Sequence, residues 1–193
     1  MTNKSPVKVG TGYTTPLHDK TPQTVKVDSR LIRLAENRAY LKNPNVRAFL
    51  DMIAWAEGGD YHAKFGYGWA RGDWSFKDES THPGPGSDGK TTAAGRYQIT
   101  KANWQENGVK KMGLTDFSPE TQDLIAVEGL RSSKSLDAVI DGDMVVALGS
   151  AARTWNSLPQ GPGLPNRVKG QPYKRYEDLV AQFRKFGGKV TKE

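Results

Sequence analysis

The chain has 193 residues, 28 Lys and Arg against 21 Asp and Glu, a formal net charge of +7, and no cysteine. That length allows one substantial domain with a tail. The absence of thiols excludes a disulfide framework, a thiolate metal site and cysteine catalysis, and is compatible with either redox compartment.

The charge is uneven. Residues 1–45 hold 8 basic side chains against 3 acidic ones, whereas residues 46–193 hold 20 against 18. Residues 1–28 are rich in Thr, Pro, Gly and Lys without apolar period, which predicts a flexible arm, and they lack the apolar core of a signal peptide. No segment approaches the length of a membrane-spanning helix. "SRLIRLAENRAYLK", 29–42, predicts a short basic amphipathic helix that packs on the domain or meets a membrane surface. The expected organisation is therefore a basic arm over 1–45 and a folded domain over 46–193. An arm of this charge suits nucleic acid, anionic lipid or an anionic envelope polymer, with the envelope or membrane the expected contact, or it simply aids solubility. With the main domain nearly balanced, no nucleic-acid partner is expected.

Pro44 and Asn45 open the first clear helix of the domain. Val46, Phe49, Leu50 and Ile53 recur at helical spacing, and Glu57 continues that stripe just before Gly58 and Gly59. Glu57 thus points where the core residues point, in the last turn, beside the negative end of the helix dipole. Desolvation and the dipole both disfavour a carboxylate, so its pKa is expected to rise, as suits a general acid at neutral pH.

Residues 61–92 mix aromatics with many Gly, Pro, Asp and Ser residues, which predicts short strands, hairpins and loops. "AAGRYQITKANWQENGVKKMG", 93–113, reads as a loop leading into a helix with Ile99 and Trp104 inward. In it Gly95 permits close backbone approach, while Tyr97 and Gln98 offer a flat apolar face and a two-way amide. Ser118-Pro119 predicts a helix start, with Leu124, Ile125, Val127 and Leu130 on its buried side. "DMVVALGSAARTW", 143–155, predicts a buried central helix running into a Gly/Pro loop through Trp155 and Asn156. An indole and an amide there suit sugar binding. Tyr173, Tyr176, Leu179, Val180, Phe183 and Phe186 predict a terminal amphipathic helix closed by Gly187-Gly188.

Other chemistries find little support. His18, His62 and His82 show no metal-ligand spacing, and there is no nucleophile elbow or phosphate loop, so no metal or cofactor is expected. A two-carboxylate glycosidase would need a partner for Glu57. Asp60, Asp73, Asp78, Glu79 and Asp88 are available in the lobe, the first three the leading candidates, with Asp60 close enough to serve only the turn after the helix.

The ordered set "FLDMIAWAEGGD", "AAGRYQI", "LTDFSPETQD", "TWNSLPQGPG" and "LVAQFRKFGGKV" resembles the phage lambda lysozyme family of endolysins, over about Val46 to Val190. The resemblance implies an α+β fold: a mainly helical, lysozyme-like, two-lobed domain with a small β-hairpin lobe and a central cleft. It implies a lytic transglycosylase acting on peptidoglycan glycan strands, with Glu57 catalytic and Tyr97, Gln98, Trp155 and Asn156 lining the cleft. It implies no cofactor. Within 61–92, which matches the family poorly, Tyr67, Trp69, Trp74 and Phe76 either grip glycan or support a hairpin, and Trp74 is the named candidate contact. Such a protein is expected to act as a monomer, to accumulate in the host cytoplasm and to reach the periplasmic wall through a separate pore. A hydrolytic muramidase and a non-catalytic wall-binding virion component are the alternatives.

Overall fold

Asn43 and Gly58 bracket the helix on which the rest of the molecule is assembled. In the computed structural model, which describes residues 28–193, the Asn43 side chain accepts hydrogen bonds from the Asn45 and Val46 amides. Pro44 occupies the first turn of α2 (Pro44–Glu57), where its missing N–H costs nothing. Gly58, in the left-handed conformation with φ 65°, ends the helix. Val46, Phe49, Leu50, Met52 and Ile53 are fully buried. Each large apolar side chain so buried contributes about 1.5–3 kcal/mol, which makes α2 the central column of the core.

The expected basic helix forms as α1 (Ser29–Leu41), capped by Asp28, and it lies against α4 (Pro119–Ser132). Asn37 of α1 is completely buried: its amide nitrogen donates to Glu128 Oε2 at 3.0 Å, and its oxygen accepts from Arg131 at 2.9 Å. A satisfied buried polar pair of this kind specifies how α1 docks, because any other register would leave the groups unpartnered. The flexible arm expected before this helix falls outside the described residues, except for Asp28.

α3 (Lys101–Asn103) continues through a π-helical segment, Trp104–Lys110, with Ile99 and Trp104 turned inward as expected. α4 begins at Ser118-Pro119 and buries Leu124, Ile125, Val127 and Leu130. Two elements differ from the sequence reading. The central helix α6 spans only Met144–Ala151, so Arg153 to Ser157 form turns instead of a further helical turn. A short helix, α5 (Leu136–Asp141), precedes it with no side-chain cap to announce it. The terminal helix α7 spans Tyr176–Lys185 and packs on α2, with Phe49 and Phe183 edge to face at 6.1 Å. Tyr173 lies before it and is 44% exposed.

The expected β-hairpin lobe is corrected by the structure. Among the described residues the lobe after α2 contains only isolated bridges, Ala63 to Ser75, Lys64 to Ala94 and Ala94 to Ile99. The reason is local. Glycines and prolines interrupt the chain every few residues, and the side chains of Asp60, Asp73, Asp78 and Asp88 each accept from the backbone amide two residues on. Those turns compete with a ladder and win. The lobe is aromatic and loop-built, held to the body by Phe117, whose amide donates to Glu79 and whose ring meets His82 at 4.7 Å.

Candidate active site

A cavity of about 630 Å³ opens where the end of α2, the loop lobe and the turn after α6 converge. Glu57 lies on its wall as the last residue of α2. The two glycines beyond it have separate tasks. Gly58 reverses the chain, and Gly59 presses against the Arg96 carbonyl so closely that any Cβ there would collide with it. The lobe segment carrying Tyr97 and Gln98 is thereby brought beside the end of α2.

Ser157, a hundred residues away in sequence, donates from Oγ to Glu57 Oε1 at 2.7 Å. Its own carbonyl accepts from the Lys174 amide at 2.9 Å, which holds the donor in place. Glu57 itself lines the cavity, and its Oε2 makes no side-chain hydrogen bond among the described residues. Burial pushes the Glu57 pKa up from the ordinary glutamate value, and the Ser157 hydrogen bond opposes it only in part.

Tyr97 and Gln98 both line the cavity. The Tyr97 ring is almost fully buried, and its hydroxyl faces away from the opening, donating to Asp123 Oδ1 at 2.6 Å. Burial and the adjacent Asp123 carboxylate hold that phenol far above its ordinary pKa, so it stays neutral. Tyr61 donates to the same oxygen at 2.9 Å, and Arg47 pairs with Oδ2 at 2.7 Å. Tyr97 is therefore a braced wall and not a proton donor to the cavity. Gln98 occupies the left-handed region with φ 49°, a conformation that costs a non-glycine residue about 1 kcal/mol or more. Its amide nitrogen donates to the Gly95 carbonyl at 3.1 Å. Gly95 itself has φ 72° and sits against the Gln122 amide with no room for a Cβ. Gln122 fastens the segment by accepting from the Arg96 amide and donating to the Tyr61 and Phe117 carbonyls.

Trp155 and Asn156 also reach the cavity. Trp155 is 6% exposed and packs over Gly129 of α4, where a Cβ would lie 3.0 Å from the indole. Asn156 is exposed, and its carbonyl accepts from Asn166 at 2.7 Å. Trp74 is the exception among the sequence candidates. It does not line the cavity; its indole N–H donates to the Arg71 carbonyl at 3.0 Å, and the Lys64 ammonium sits 5.5 Å from the ring. Tyr67 and Trp69, 46% and 69% exposed, stand on the lobe side of the cavity instead.

Glu57 is the one carboxylate on the cavity wall among the described residues. Asp60, Asp73 and Asp78 accept from the His62, Ser75 and Ser80 amides at 2.8–2.9 Å, and none of the three lines the cavity. Their hydrogen bonds to those turns hold Asp73 and Asp78 below the ordinary aspartate range. Ser157 was the functional neighbour that sequence reasoning missed, although it lies inside the "TWNSLPQGPG" motif.

The Endolysin family model matches residues 47–190. The endolysin of Escherichia phage lambda is 35% identical over 156 residues, covering 77% of this chain and 94% of the relative. That of Escherichia phage P2 is 34% identical over 161 residues, covering 75% and 93%. Among solved structures, bacteriophage lambda lysozyme complexed with a chitohexasaccharide superposes with a TM-score of 0.65 at 33% identity, covering 77% of this chain and 97% of that one. A second structure of lambda lysozyme gives 0.60 at 31% identity. With the family model, the relatives and the solved structures in agreement, this chain belongs to the endolysin family and has a lambda lysozyme-like fold.

Proposed function

We propose that this endolysin-family protein, a lysozyme-like enzyme that degrades peptidoglycan, does so as a lytic transglycosylase with Glu57 as its single acid and base. The observation that carries the reading is the solitary carboxylate: Glu57 is the one acidic side chain lining the cavity among the described residues. A glycosidase that activates water or forms a glycosyl-enzyme needs a second carboxylate across the bond, at about 5–9.5 Å from the first. A transglycosylase does not.

Glu57, its pKa raised by burial, gives its proton to the oxygen of the β-1,4 bond between N-acetylmuramic acid and N-acetylglucosamine. The muramic C1–O bond breaks with oxocarbenium character at C1. The muramic C6 hydroxyl then bonds to C1 and returns its proton to the Glu57 carboxylate, leaving 1,6-anhydro-muramic acid and restoring the acid. No water is consumed. Ser157 holds Oε1, which leaves Oε2 to carry the travelling proton. Tyr97, Gln98, Trp155 and Asn156 form the walls, and Tyr67 and Trp69 provide the exposed aromatic faces suited to pyranose rings. That the structurally similar lambda lysozyme was solved with a chitohexasaccharide supports a glycan in this cavity.

No helix among the described residues is long and apolar enough to cross a membrane. In the proposed setting the protein works as a monomer, gathers in the host cytoplasm and meets the periplasmic wall when lysis begins, with the basic arm contacting the anionic envelope. Removing residues 1–27 should weaken retention on anionic vesicles while release from purified peptidoglycan persists.

Mass spectrometry of muropeptides released from purified peptidoglycan, with Glu57→Gln as control, tests the mechanism. Fragments one water lighter than hydrolytic products, and absent with the variant, support transglycosylation. Hydrated products would indicate a muramidase, and no release from the unaltered protein would indicate a wall-binding component.

A further inference from the structure

Beyond the turn that carries Ser157, the loop from Pro165 to Tyr173 encloses an open depression of about 690 Å³. It is not an isolated dimple: Gln171 lines both this depression and the cavity that holds Glu57. The two sites differ in charge. The Glu57 cavity has one acid and one cation, Lys64, on its wall, as suits neutral sugars. The depression has two cations, Arg167 and Lys169, and no acid.

Both cations are exposed and form no ion pair among the described residues. Arg167 donates only to the Gly149 carbonyl at 3.3 Å. The loop beneath them is firmly built. Asn166 is 7% exposed, and its amide donates to the Asn156 and Gln171 carbonyls at 2.7 and 3.3 Å. Gln160 ties the other side: its backbone and side-chain N–H groups both donate to the Pro165 carbonyl. Pro165, Pro172 and the exposed Tyr173 ring add apolar surface beside the charges.

From this juxtaposition we infer that the depression binds the acidic stem peptide attached to the glycan strand, with Arg167 and Lys169 receiving its carboxylates and Tyr173 its methyl groups. The inference rests on the peptidoglycan reading above and deepens it, because a sugar chain seated at Glu57 carries such a peptide on every muramic residue. Exposed cations over a hydrogen-bonded loop suit free carboxylates, and the apolar wall suits short alanine side chains. Asn156 links the two sites physically, lining the cavity while its carbonyl holds Asn166 under the loop.

The test compares two substrates, intact peptidoglycan strands and the same strands stripped of peptide by an amidase. For the full-length Arg167→Ala/Lys169→Ala variant, KM on the peptide-bearing strands should rise about threefold to tenfold, the scale of two exposed ion pairs. KM on the stripped strands should stay within about twofold, and the increase should shrink as salt screens the pairs. Arg167→Lys/Lys169→Arg should restore most of the loss. Melting temperatures matched to the unaltered protein exclude a folding defect, since both side chains are exposed. Equal rises on both substrates would overturn the inference, showing general attraction to the strand, and so would an unchanged KM on the peptide-bearing one. If the unaltered protein cleaves neither substrate, the transglycosylase reading fails and this inference falls with it. If it cleaves both and the variant is indistinguishable from it, this inference alone fails.

Discussion

Removing the Ser157 hydroxyl takes away the one side-chain hydrogen bond to Glu57 among the described residues, at 2.7 Å from Oε1. Hydrogen bonds to a charged group are worth about 1.5–3 kcal/mol. Ser157 favours the ionised form, which burial disfavours. Glu57 opens onto the cavity, so water replaces part of the lost bond and the lower end, about 1.5 kcal/mol, is the appropriate scale. At a fixed pH that multiplies the ratio of protonated to ionised Glu57 by about ten. A general acid is active when protonated, so in Ser157→Ala the alkaline fall of kcat/KM should move to higher pH. Its plateau should drop, because the carboxyl is no longer held in position. The assay is the initial rate of soluble muropeptide release across a pH series, with melting temperature as the folding control. An alkaline limb that stays in place or moves to lower pH would refute the assignment of Glu57 as the titrating acid, or of Ser157 as the group that tunes it.

Glu57→Gln should lower release at least about a hundredfold, the smaller end of what a positioned general acid supplies. The same variant has a stability signature. Glu57 has a raised folded pKa, so the folded state holds its proton more tightly than the unfolded chain, and the native protein loses stability as pH rises from the ordinary value of 4.5 to the folded one. The slope of that loss is at most about 1.4 kcal/mol per pH unit. Glu57→Gln escapes it, so its melting temperature should equal the native one near about pH 4 and match or exceed it near about pH 7; a variant less stable at neutral pH would contradict the raised pKa. Gly95→Ala should cost about 2–4 kcal/mol, since a Cβ at φ 72° collides with the Gln122 amide, and a shifted urea midpoint would register it. Trp69→Ala should raise KM about threefold to tenfold with little change in kcat, on the scale of one lost aromatic face. Trp74→Ala, whose indole points to the Arg71 carbonyl, should leave KM alone, and the reverse pattern would reassign the glycan contact.

Sequence by itself determined the parts of this protein whose causes are local. Pro44 and Ser118-Pro119 begin α2 and α4, and Gly58 ends α2, because caps, first-turn prolines and left-handed glycines act within one turn of chain. Apolar spacing put Glu57 on the buried stripe, which was enough to foresee its raised pKa. The aromatic–amide motifs at 97–98 and 155–156 were legible as residue types, and they do reach the cavity. What failed locally is equally instructive: "FKDESTHPGPGSDG" carries strand-forming aromatics nearby, but its Asx turns and prolines satisfy or remove the amides that a ladder needs.

Only the tertiary structure decided which side chains meet. The Ser157–Glu57 contact spans a hundred residues and depends on α6 stopping at Ala151, so that the chain turns back onto the end of α2. The choice of Trp69 over Trp74 depends on how the lobe folds, because two tryptophans five residues apart in irregular chain have no fixed relative direction. The exclusion of Asp60, Asp73 and Asp78 from the cavity is likewise three-dimensional, since a carboxylate that caps its own turn and one that faces a substrate look the same in sequence. Periodicity and capping act over a few residues along the chain, whereas a catalytic cavity is made of surfaces that only packing brings together.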